Sequence, residues 1–409
     1  MSEERKKIHL PPSLTGTQLE TQTERLEVDT PGGKSVIGVP KEISFQENRV
    51  ALVPSAVATL VAHGHRVLVE SKAGEKSNYT DTDYSEAGAE ILFDREQVFQ
   101  ADVLIKVAPP TLEEAGLMHP GQVLISPLHL PVISAEYLNK LKEKRVIALA
   151  MEYIQDDTGS FPIVRIMSEL AGIEAMLTAA ELLSTTRGGK GVLLGGISGV
   201  PPAKVVILGA GVVALFATRV ALGLGAEVRV FDNNVGKLMR LQQLIGRPLN
   251  TSTLNPIQLR KELLTADVAI GAVHSRTGRT PILVPEEVVM EMKPGSVIVD
   301  VSIDQGGCFE TSEVTNHLHP TFVKHEVIHY CVPNIASKVS RTASIAVSNI
   351  LTPILLQAGR PESIERLLFD HPGLRHGVYM YKGCLTNEYL GKRFQIKFTD
   401  LDLLITSRL

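Results

Sequence analysis

KVVILGAGVVALFATRVALGLGAEVRVFDNN, the stretch from Lys204 to Asn234, decides the fold. It begins with a β-branched run, Lys204 to Leu208, which is typical of a buried parallel strand. Gly209 and Gly211 then allow the chain to turn sharply, because neither residue carries a Cβ. The apolar run from Val212 to Leu224 predicts a helix packed between a sheet and other protein. A strand, a tight turn and a helix therefore follow one another directly.

A second strand and an acidic residue complete the pattern of a dinucleotide-binding unit. Glu227 to Phe231 is the strand, and Asp232 ends it roughly 20 residues after Gly209, where such units place the acid that binds the adenosine ribose. Because a carboxylate also repels a 2′-phosphate, the sequence predicts NAD rather than NADP as the cofactor.

The glycines also predict where the phosphates of the cofactor bind. A helix that opens on glycines exposes unpaired N–H groups and the positive end of its dipole to a pyrophosphate. Ala214 occupies the third position of the motif, which accepts alanine as well as glycine. We therefore expect Gly209, Gly211, Ala214 and Asp232 to bind the cofactor. The alternative is a doubly wound domain that binds no ligand.

Length and charge limit the classes of protein that fit this sequence. At 409 residues the chain is long enough for two hydrophobic cores, since single cores rarely grow beyond about 300 residues. The net charge is −4, from 41 basic and 45 acidic residues, and the chain has no basic block. This balance predicts small-molecule partners rather than nucleic acid or an acidic membrane surface.

Cysteine usage and the first residues bear on location. Cys308, Cys331 and Cys384 lie far apart and suggest neither a disulfide framework nor a metal site, so no bound metal is expected. Residues 1–33 lack the apolar core of a signal peptide and are interpreted as a flexible extension. These features predict a cytoplasmic protein that does not cross a membrane.

The remaining apolar runs predict alternating strands and helices. Strands are predicted at 36–40, 66–70, 101–107, 123–127, 145–150, 268–273 and 296–301, and helices at 54–63, 135–144, 343–357 and from Met167 to about Ser184. This alternation is typical of parallel sheets and of the α/β class.

Two sequence echoes relate the halves of the chain. ADVLI at 101–105 resembles ADVAI at 266–270, and PGQVLI at 120–125 resembles PGSVIV at 294–299. We therefore predict two Rossmann-like, doubly wound parallel-sheet domains that face each other across a cleft.

The echoes also suggest how the chain divides between those domains. Residues 34–165 together with 341–409 are predicted to form the substrate domain, because the tail is expected to return to the first unit. Residues 166–340 are predicted to form the NAD-binding domain.

Polar side chains follow equivalent strand ends in the two halves. His129 comes just after the strand that begins beyond Gly121, and Asp304 just after the strand that begins beyond Gly295. Ligands in open α/β sheets bind beyond the carboxyl ends of the strands. Across a cleft, this imidazole and this carboxylate are expected to meet over the nicotinamide as the catalytic pair.

Two basic residues are candidates for binding an anionic substrate. Lys106 lies near the carboxyl end of a strand, and buried strands rarely carry lysine without an anionic partner. Arg49 lies in a segment that turns apolar, and both cations are predicted to bind a substrate carboxylate. The alternatives are an exposed arginine at the rim and, for His129 between Leu128 and Leu130, a packed histidine.

With these residues the chain resembles the family that unites alanine dehydrogenases with the NAD-binding part of proton-translocating transhydrogenases. The resemblance runs from about residue 35 to about residue 390. The matching segments are VIGVPKEISFQENRVALVP, ADVLIKVAPP, LISPLHLP, IMSELAG, GAGVVA with FDNN, VIVDVSIDQGGCFE, HPTFVKH, YCVPNIAS and GVYMYKGCLTNEYL.

The resemblance implies an NAD-dependent dehydrogenase that interconverts L-alanine with pyruvate and ammonia. It implies that Arg49 and Lys106 bind the substrate carboxylate, that His129 is the acid/base and that Asp304 supports the ammonia and water steps.

The same resemblance implies that Ser168 and Asn334, like Asp232, face the cofactor, and that the protein is a homohexamer. A transhydrogenase subunit is an alternative, although the Gln and Asp that such subunits carry after an arginine are absent beyond Arg165. An inactive NAD-binding homologue is a second alternative, against which the catalytic candidates argue.

Overall fold

The computed structural model describes residues 35–130, 133–275, 278–357 and 361–406, except for the side chains of 361–363 and 406. The predicted extension at residues 1–33 lies outside the described residues. The strands are β1 (Val36–Val39), β2 (Arg66–Glu70), β3 (Glu90–Leu92), β4 (Val103–Ile105), β5 (Val123–Ser126), β6 (Ile147–Ala150), β7 (Lys204–Leu208), β8 (Glu227–Phe231), β9 (Asn250–Ser252), β10 (Val268–Gly271), β11 (Val297–Asp300), β12 (Thr321–Lys324), β13 (Val327–Tyr330), β14 (Val378–Tyr381) and β15 (Cys384–Leu385). The helices are α1 (Pro54–Ala62), α2 (Asp81–Glu86), α3 (Arg95–Val98), α4 (Leu112–Leu117), α5 (Ala135–Glu143), α6 (Pro162–Leu182), α7 (Val212–Gly223), α8 (Val235–Ile245), α9 (Pro256–Leu263), α10 (Glu286–Met290), α11 (Ser340–Gln357), α12 (Pro361–Asp370), α13 (Pro372–Arg375), α14 (Glu388–Phe394) and α15 (Leu401–Thr406).

The described strands form two sheets. The first has 8 strands in the order β15-β14-β6-β5-β4-β1-β2-β3, and the second has 7 in the order β12-β13-β11-β10-β7-β8-β9. The pairs β6–β14, β14–β15 and β12–β13 are antiparallel, and the other pairs are parallel. The prediction of an α/β fold with two doubly wound sheets is confirmed, with the correction that each sheet carries antiparallel strands at one edge.

The first sheet takes strands from both ends of the described chain. Strands β1 to β6 come from residues 36–150, whereas β14 and β15 come from residues 378–385. The second sheet is built from one continuous segment, β7 to β13. The domain bounds 34–165 with 341–409 and 166–340 stay a prediction.

Each sheet is covered on both faces by apolar side chains. In β4, Val103 and Ile105 pack into one core, whereas Leu104 between them packs into the core on the opposite face. All three side chains are almost fully buried. The near-continuous apolar runs that predicted parallel strands therefore reflect burial on two faces.

Helix α6 begins earlier than its sequence predicted. It starts at Pro162 rather than near Met167, because proline at the first helical position needs no hydrogen-bond acceptor and already has the φ of a helix. Farther along, a Cβ on Gly172 would overlap the carbonyl oxygen of Val213 in α7. The glycine thus lets α6 cross closely over the helix that follows the glycine motif.

One described stretch, Ile335–Gln357, is long and apolar enough to cross a membrane by length and composition, and 50% of its most apolar window is buried inside the protein.

Candidate active site

The turn between β7 and α7 leaves room for a ligand at the start of the helix. Gly209 has a φ of 109°, and a Cβ there would overlap the carbonyl oxygen of Ala272 beyond β10. Gly211 precedes the first residue of the 12-residue helix α7, and a Cβ there would meet nothing within 4 Å. Ala214 is fully buried against the sheet. The open space and the free N–H groups of the first turn fit a pyrophosphate.

Asp232 is fixed by the backbone at the end of β8. Its Oδ2 accepts a hydrogen bond from the N–H of Ala210 at 2.8 Å, and its Oδ1 accepts one from the N–H of Asn234 at 2.7 Å. A carboxylate oxygen can accept more than one hydrogen bond, so both oxygens can also accept from ribose hydroxyls. The carboxylate therefore joins the glycine turn to the carboxyl-terminal end of β8, where a ribose would bind.

Arg49 lies between the two sheets rather than at an exposed rim. Its Nε and Nη2 donate to the carboxylate of Glu47 at 2.8 and 2.6 Å, and its side chain is only 12% exposed. Burial alone would lower the pKa of Arg49, but Glu47 outweighs this effect and raises it. Nη1 contacts Sδ of Met167 at 3.2 Å, which is a weak acceptor.

Glu47 and Asn334 connect Arg49 to the second sheet. The side-chain amide of Asn334 donates to Oε2 of Glu47 at 2.9 Å, and the backbone N–H of Asn334 donates to Oδ1 of Asp304 at 3.1 Å. Burial alone would raise the pKa of Glu47, but Arg49 outweighs it and lowers the pKa below its ordinary value. Arg49, Glu47, Asn334 and Asp304 thus form one chain of polar contacts.

Asp304 and His129 belong to the same electrostatic environment. Asp304 lies in the 3₁₀ turn Val301–Gln305 after β11, accessible to solvent but with protein packed closely around it. The protein packed around the carboxyl group partly desolvates it and raises the pKa of Asp304. The N–H of Asn334 and the charges of His129 and Arg49 act in the opposite direction. The side chain of His129 is exposed, unlike that of a packed core histidine. The structure therefore brings Arg49, Asp304 and His129 together.

Of the other residues assigned to the cofactor by resemblance, Asn334 contacts this cluster directly and Ser168 is the sequence neighbour of a residue that does. Ser168 is half-buried on α6, next to Met167, which contacts Arg49. Asn334 has a φ of 54°, in the left-handed region that asparagine adopts more readily than most residues. In the chain of contacts it lies between Glu47 and Asp304, and its backbone N–H donates to Asp304.

Lys106 has the anionic partners that a buried strand lysine requires. Its Nζ lies 2.8 Å from Oε2 of Glu42 and 3.2 Å from Oε1 of Glu114, and its side chain is 0% exposed. Burial alone would lower the pKa of Lys106, but the two carboxylates outweigh it and raise the pKa, so the ammonium stays charged. Both partners belong to the protein. In this structure the ammonium of Lys106 is therefore enclosed by protein groups.

Serines near and on α11 hold the segment that carries Arg49. They accept hydrogen bonds from backbone N–H groups as follows: Ser337 from Asn48 at 2.9 Å, Ser344 from Val50 at 2.9 Å and Ser348 from Val53 at 3.0 Å. Ser344 and Ser348 are spaced by one helical turn, so they share a face of α11. The arginine is therefore placed by a helix that begins just after the second sheet.

Several of these contacts could not be read from the sequence. Glu47 precedes Arg49 by two residues, but nothing local shows that Asn334 completes its coordination. The need of Lys106 for an anion was a usable signal, yet it did not identify Glu42 or Glu114. Among the described residues, no group of three or more His, Cys, Asp or Glu side chains is placed to hold a metal ion.

Comparison with known proteins identifies relatives across most of the chain. The family description "Alanine dehydrogenase/PNT, N-terminal domain" matches residues 38–171, and "Alanine dehydrogenase/PNT, C-terminal domain" matches residues 175–388. The chain is 42% identical over 358 residues to an alanine dehydrogenase of Bacillus subtilis, covering 87% of this chain and 94% of that protein. It is 40% identical over 368 residues to alanine dehydrogenase 2 of Staphylococcus aureus, covering 90% and 98%.

Solved structures show the same arrangement of strands and helices. One of an L-alanine dehydrogenase superposes with a TM-score of 0.83 at 39% identity, covering 88% of this chain and 99% of the other. A transhydrogenase from Sinorhizobium meliloti superposes with a TM-score of 0.74 at 24% identity, covering 87% and 99%. At that identity the second likeness concerns the fold alone.

Proposed function

Because this chain belongs to the alanine dehydrogenase/PNT family, we propose that it uses NAD to interconvert L-alanine with pyruvate and ammonia. In the reductive direction pyruvate, ammonium, NADH and one proton give L-alanine, NAD and water. The observation that carries the proposal is the chain of contacts from Arg49 through Glu47 and Asn334 to Asp304, which joins a carboxylate-binding cation to the end of the nucleotide-binding sheet.

The cofactor, when bound, supplies a hydride donor or acceptor, and the protein supplies binding and orientation. The first turn of α7, with Gly209 and Gly211, would hold the pyrophosphate, and Asp232 would hold the ribose. Ser168 and Asn334 would face the same ligand. Pyridine-nucleotide dependence follows from the family, and the choice of NAD is the part that rests on Asp232.

Arg49 is proposed to bind the substrate carboxylate. A guanidinium presents several donors in one plane and pairs with a carboxylate through two parallel hydrogen bonds. Glu47 and Val107 occupy Nε and Nη2, whereas Nη1 contacts only the thioether of Met167 in the described residues. Nη1 is therefore the donor best placed to turn toward a ligand.

His129 and Asp304 are proposed to handle protons and ammonia. An imidazole near neutral pH can donate a proton to the substrate oxygen during reduction and accept it back during oxidation. The carboxylate of Asp304 can accept hydrogen bonds from ammonia and water as they exchange at the substrate carbon. Its side chain is open to solvent, as this role requires.

A substrate panel tests the activity directly. NADH oxidation by the purified protein is measured with pyruvate and ammonium, and then with a series of larger 2-keto acids plus ammonium. The proposal expects pyruvate to give the highest kcat/KM and ammonium to be required. Absence of turnover across the whole panel would rule the proposal out.

The family resemblance also leads us to propose a homohexamer in the cytoplasm. Light scattering of the purified protein tests the first part, with a mass of about six 44.4 kDa chains expected. Fractionation of the source cells tests the second part.

Replacing Asp232 with alanine is expected to narrow the preference for NAD over NADP at least tenfold, or about 1.4 kcal/mol, because the repulsion of a 2′-phosphate is lost. The measurement is kcat/KM for both cofactors. Alanine also frees the N–H groups of Ala210 and Asn234, so Asp232→Asn is the matched variant, which removes the charge and keeps one acceptor. An unchanged ratio in both variants would contradict the assignment.

Replacing Lys106 with methionine is expected to abolish turnover and also to lower Tm, because it leaves Glu42 buried without a cation and Glu114 with Arg95 alone. The double variant Lys106→Met/Glu42→Gln separates the two effects. The glutamine would keep an oxygen for the N–H groups of Val107 and Ala108 while removing one buried charge. Tm should recover while turnover stays abolished. Recovery of both Tm and turnover would show that Lys106 acts only in the structure.

A further inference from the structure

Glu152 and His129 leave the first sheet side by side. Strands β5 and β6 are parallel neighbours, and their last residues, Ser126 and Ala150, are paired. His129 follows β5 by three residues, and Glu152 lies in the 3₁₀ turn Met151–Tyr153 that follows β6. The carboxyl ends of neighbouring parallel strands meet at one edge, so the two turns are in contact.

A single oxygen of Glu152 binds two consecutive backbone groups of the histidine turn. Oε1 accepts hydrogen bonds from the N–H of Leu128 at 2.8 Å and from the N–H of His129 at 3.2 Å. Leu128 is fully buried, so water cannot replace the carboxylate as acceptor for its N–H. The contact is made to the backbone and leaves the imidazole itself unbound by Glu152.

The turn needs such support because its backbone is in an uncommon conformation. His129 has a φ of 49°, in the left-handed region, which costs a residue with a Cβ about 1–2 kcal/mol. Strained residues of this kind persist when the surrounding structure holds them in place. The two hydrogen bonds to Oε1 fix the peptide planes on both sides of Leu128 and so restrict the direction in which the next side chain leaves the backbone.

Glu152 is a costly residue to place here if it only supports packing. Its Oε2 is buried and, within the described part of the chain, has no hydrogen-bond partner. Burial raises the pKa of Glu152, and the backbone N–H groups that donate to its carboxylate offset this rise only in part. The titratable groups facing it are the hydroxyls of Tyr137 and Tyr379, which bind each other at 3.1 Å, and the neighbouring Tyr153. A half-satisfied buried carboxylate lowers stability, and such exceptions concentrate at functional sites.

We propose that Glu152 is the positioning residue of the proton-transfer step: by anchoring the N–H groups of Leu128 and His129, it holds the imidazole where it reaches the substrate oxygen. This inference rests on the acid/base role of His129 proposed above. A displacement of about 1 Å in a catalytic group can lower a rate by about 100-fold, so a missing anchor has a measurable effect.

A double-mutant cycle tests the inference on the full-length protein. Glu152→Ala removes both hydrogen bonds and is expected to lower kcat for pyruvate reduction by about 10- to 100-fold, with NADH binding retained. In a background that already carries His129→Gln, the same change should cost less than threefold, since a residue that acts through the imidazole loses its effect when the imidazole is absent. If the rate losses of Glu152→Ala and His129→Gln instead multiply in the double variant, the inference is overturned.

Two further variants separate positioning from stability. Glu152→Gln keeps an oxygen for both N–H groups and should retain kcat within about threefold of the wild type, even though its buried amide lowers Tm. Asp102→Ala removes a comparable carboxylate, which accepts a hydrogen bond from the N–H of Val36. This contact lies at the amino-terminal ends of β1 and β4, away from the ends that carry His129 and Glu152. Asp102→Ala should lower Tm and leave kcat within about twofold of the wild-type value. A loss of kcat in proportion to Tm across all three variants would mean that Glu152 is merely structural.

The cycle also distinguishes failure of the inference from failure of the proposed function. If His129→Gln alone retains wild-type turnover, the acid/base role of His129 is wrong and the inference is overturned with it. If His129→Gln is impaired while Glu152→Ala is fully active, only the positioning role is wrong.

Discussion

His129→Gln is expected to lower kcat/KM for pyruvate at least 100-fold, the scale of lost general acid/base catalysis, and to leave NADH binding unchanged. Glutamine keeps a polar side chain of similar size but cannot exchange a proton near neutral pH. Because the imidazole is exposed and the turn is held through its backbone, the fold should tolerate the change. Steady-state kinetics and NADH fluorescence titration are the measurements.

The pH dependence gives a second readout of the same residue. Because the protonated imidazole donates in reductive amination and the neutral imidazole accepts in alanine oxidation, kcat/KM should fall as pH rises in the first direction and as pH falls in the second. His129→Gln should remove both bends and leave the ionisation of ammonia and alanine at higher pH.

His63→Gln is the matched control, since His63 is an exposed histidine at the end of α1, outside the cluster of Arg49, Asp304 and His129. Its rate and pH profiles should equal those of the wild type. Wild-type turnover and an unchanged profile in His129→Gln would mean that the proton travels through another group.

Asp304→Asn is expected to lower the rate of reductive amination at least 100-fold while leaving Tm unchanged or higher. Asparagine keeps an oxygen that can accept from the N–H of Asn334, so the chain of contacts to Glu47 persists. Only the negative charge is lost. Full activity would show that the carboxylate merely fixes this turn.

The expected direction of the Tm change follows from the pKa. Burial raises the pKa of Asp304 above its ordinary value of 3.8, so the charged form is less favourable in the folded state than in the unfolded state. The resulting loss of stability develops as pH rises through that ordinary value toward the raised folded-state value, and it persists above it. Asp304→Asn should remove this loss. The Tm of Asp304→Asn minus that of the wild type should therefore be larger at pH 7 than at pH 4. A smaller difference at pH 7 would contradict the expected direction.

Local sequence patterns predicted the elements that position the site. The bounds of β7 and β8 agree with the runs at Lys204–Leu208 and Glu227–Phe231, because β-branched residues and the intervening glycines act over a few neighbours. The meeting of His129 and Asp304 followed from a rule of topology, since ligand sites lie beyond the carboxyl ends of parallel strands.

Contacts between distant segments could not be predicted in the same way. Glu47 and Asn334 are separated by 287 residues, and only the packing of the two sheets brings them together. Lys106 shows the same limit, because its sequence indicated an anionic partner and we predicted a substrate carboxylate, whereas the structure supplies Glu42 and Glu114. The antiparallel edge strands β12, β14 and β15 were not predicted, because alternation with helices, the signal used for the parallel strands, does not mark strands that are joined by short turns.

The return of the last strands to the first sheet constrains biosynthesis. Strand β6 has its neighbour β5 as soon as residue 150 is made, but its other edge waits for β14 at Val378–Tyr381. At roughly 5–20 residues per second, the ribosome needs at least about ten seconds to reach that strand. During this time the first sheet offers an unpaired edge to other chains. A premature stop after α11 would make that edge permanent, so truncated chains should aggregate rather than accumulate as a soluble, partly active enzyme.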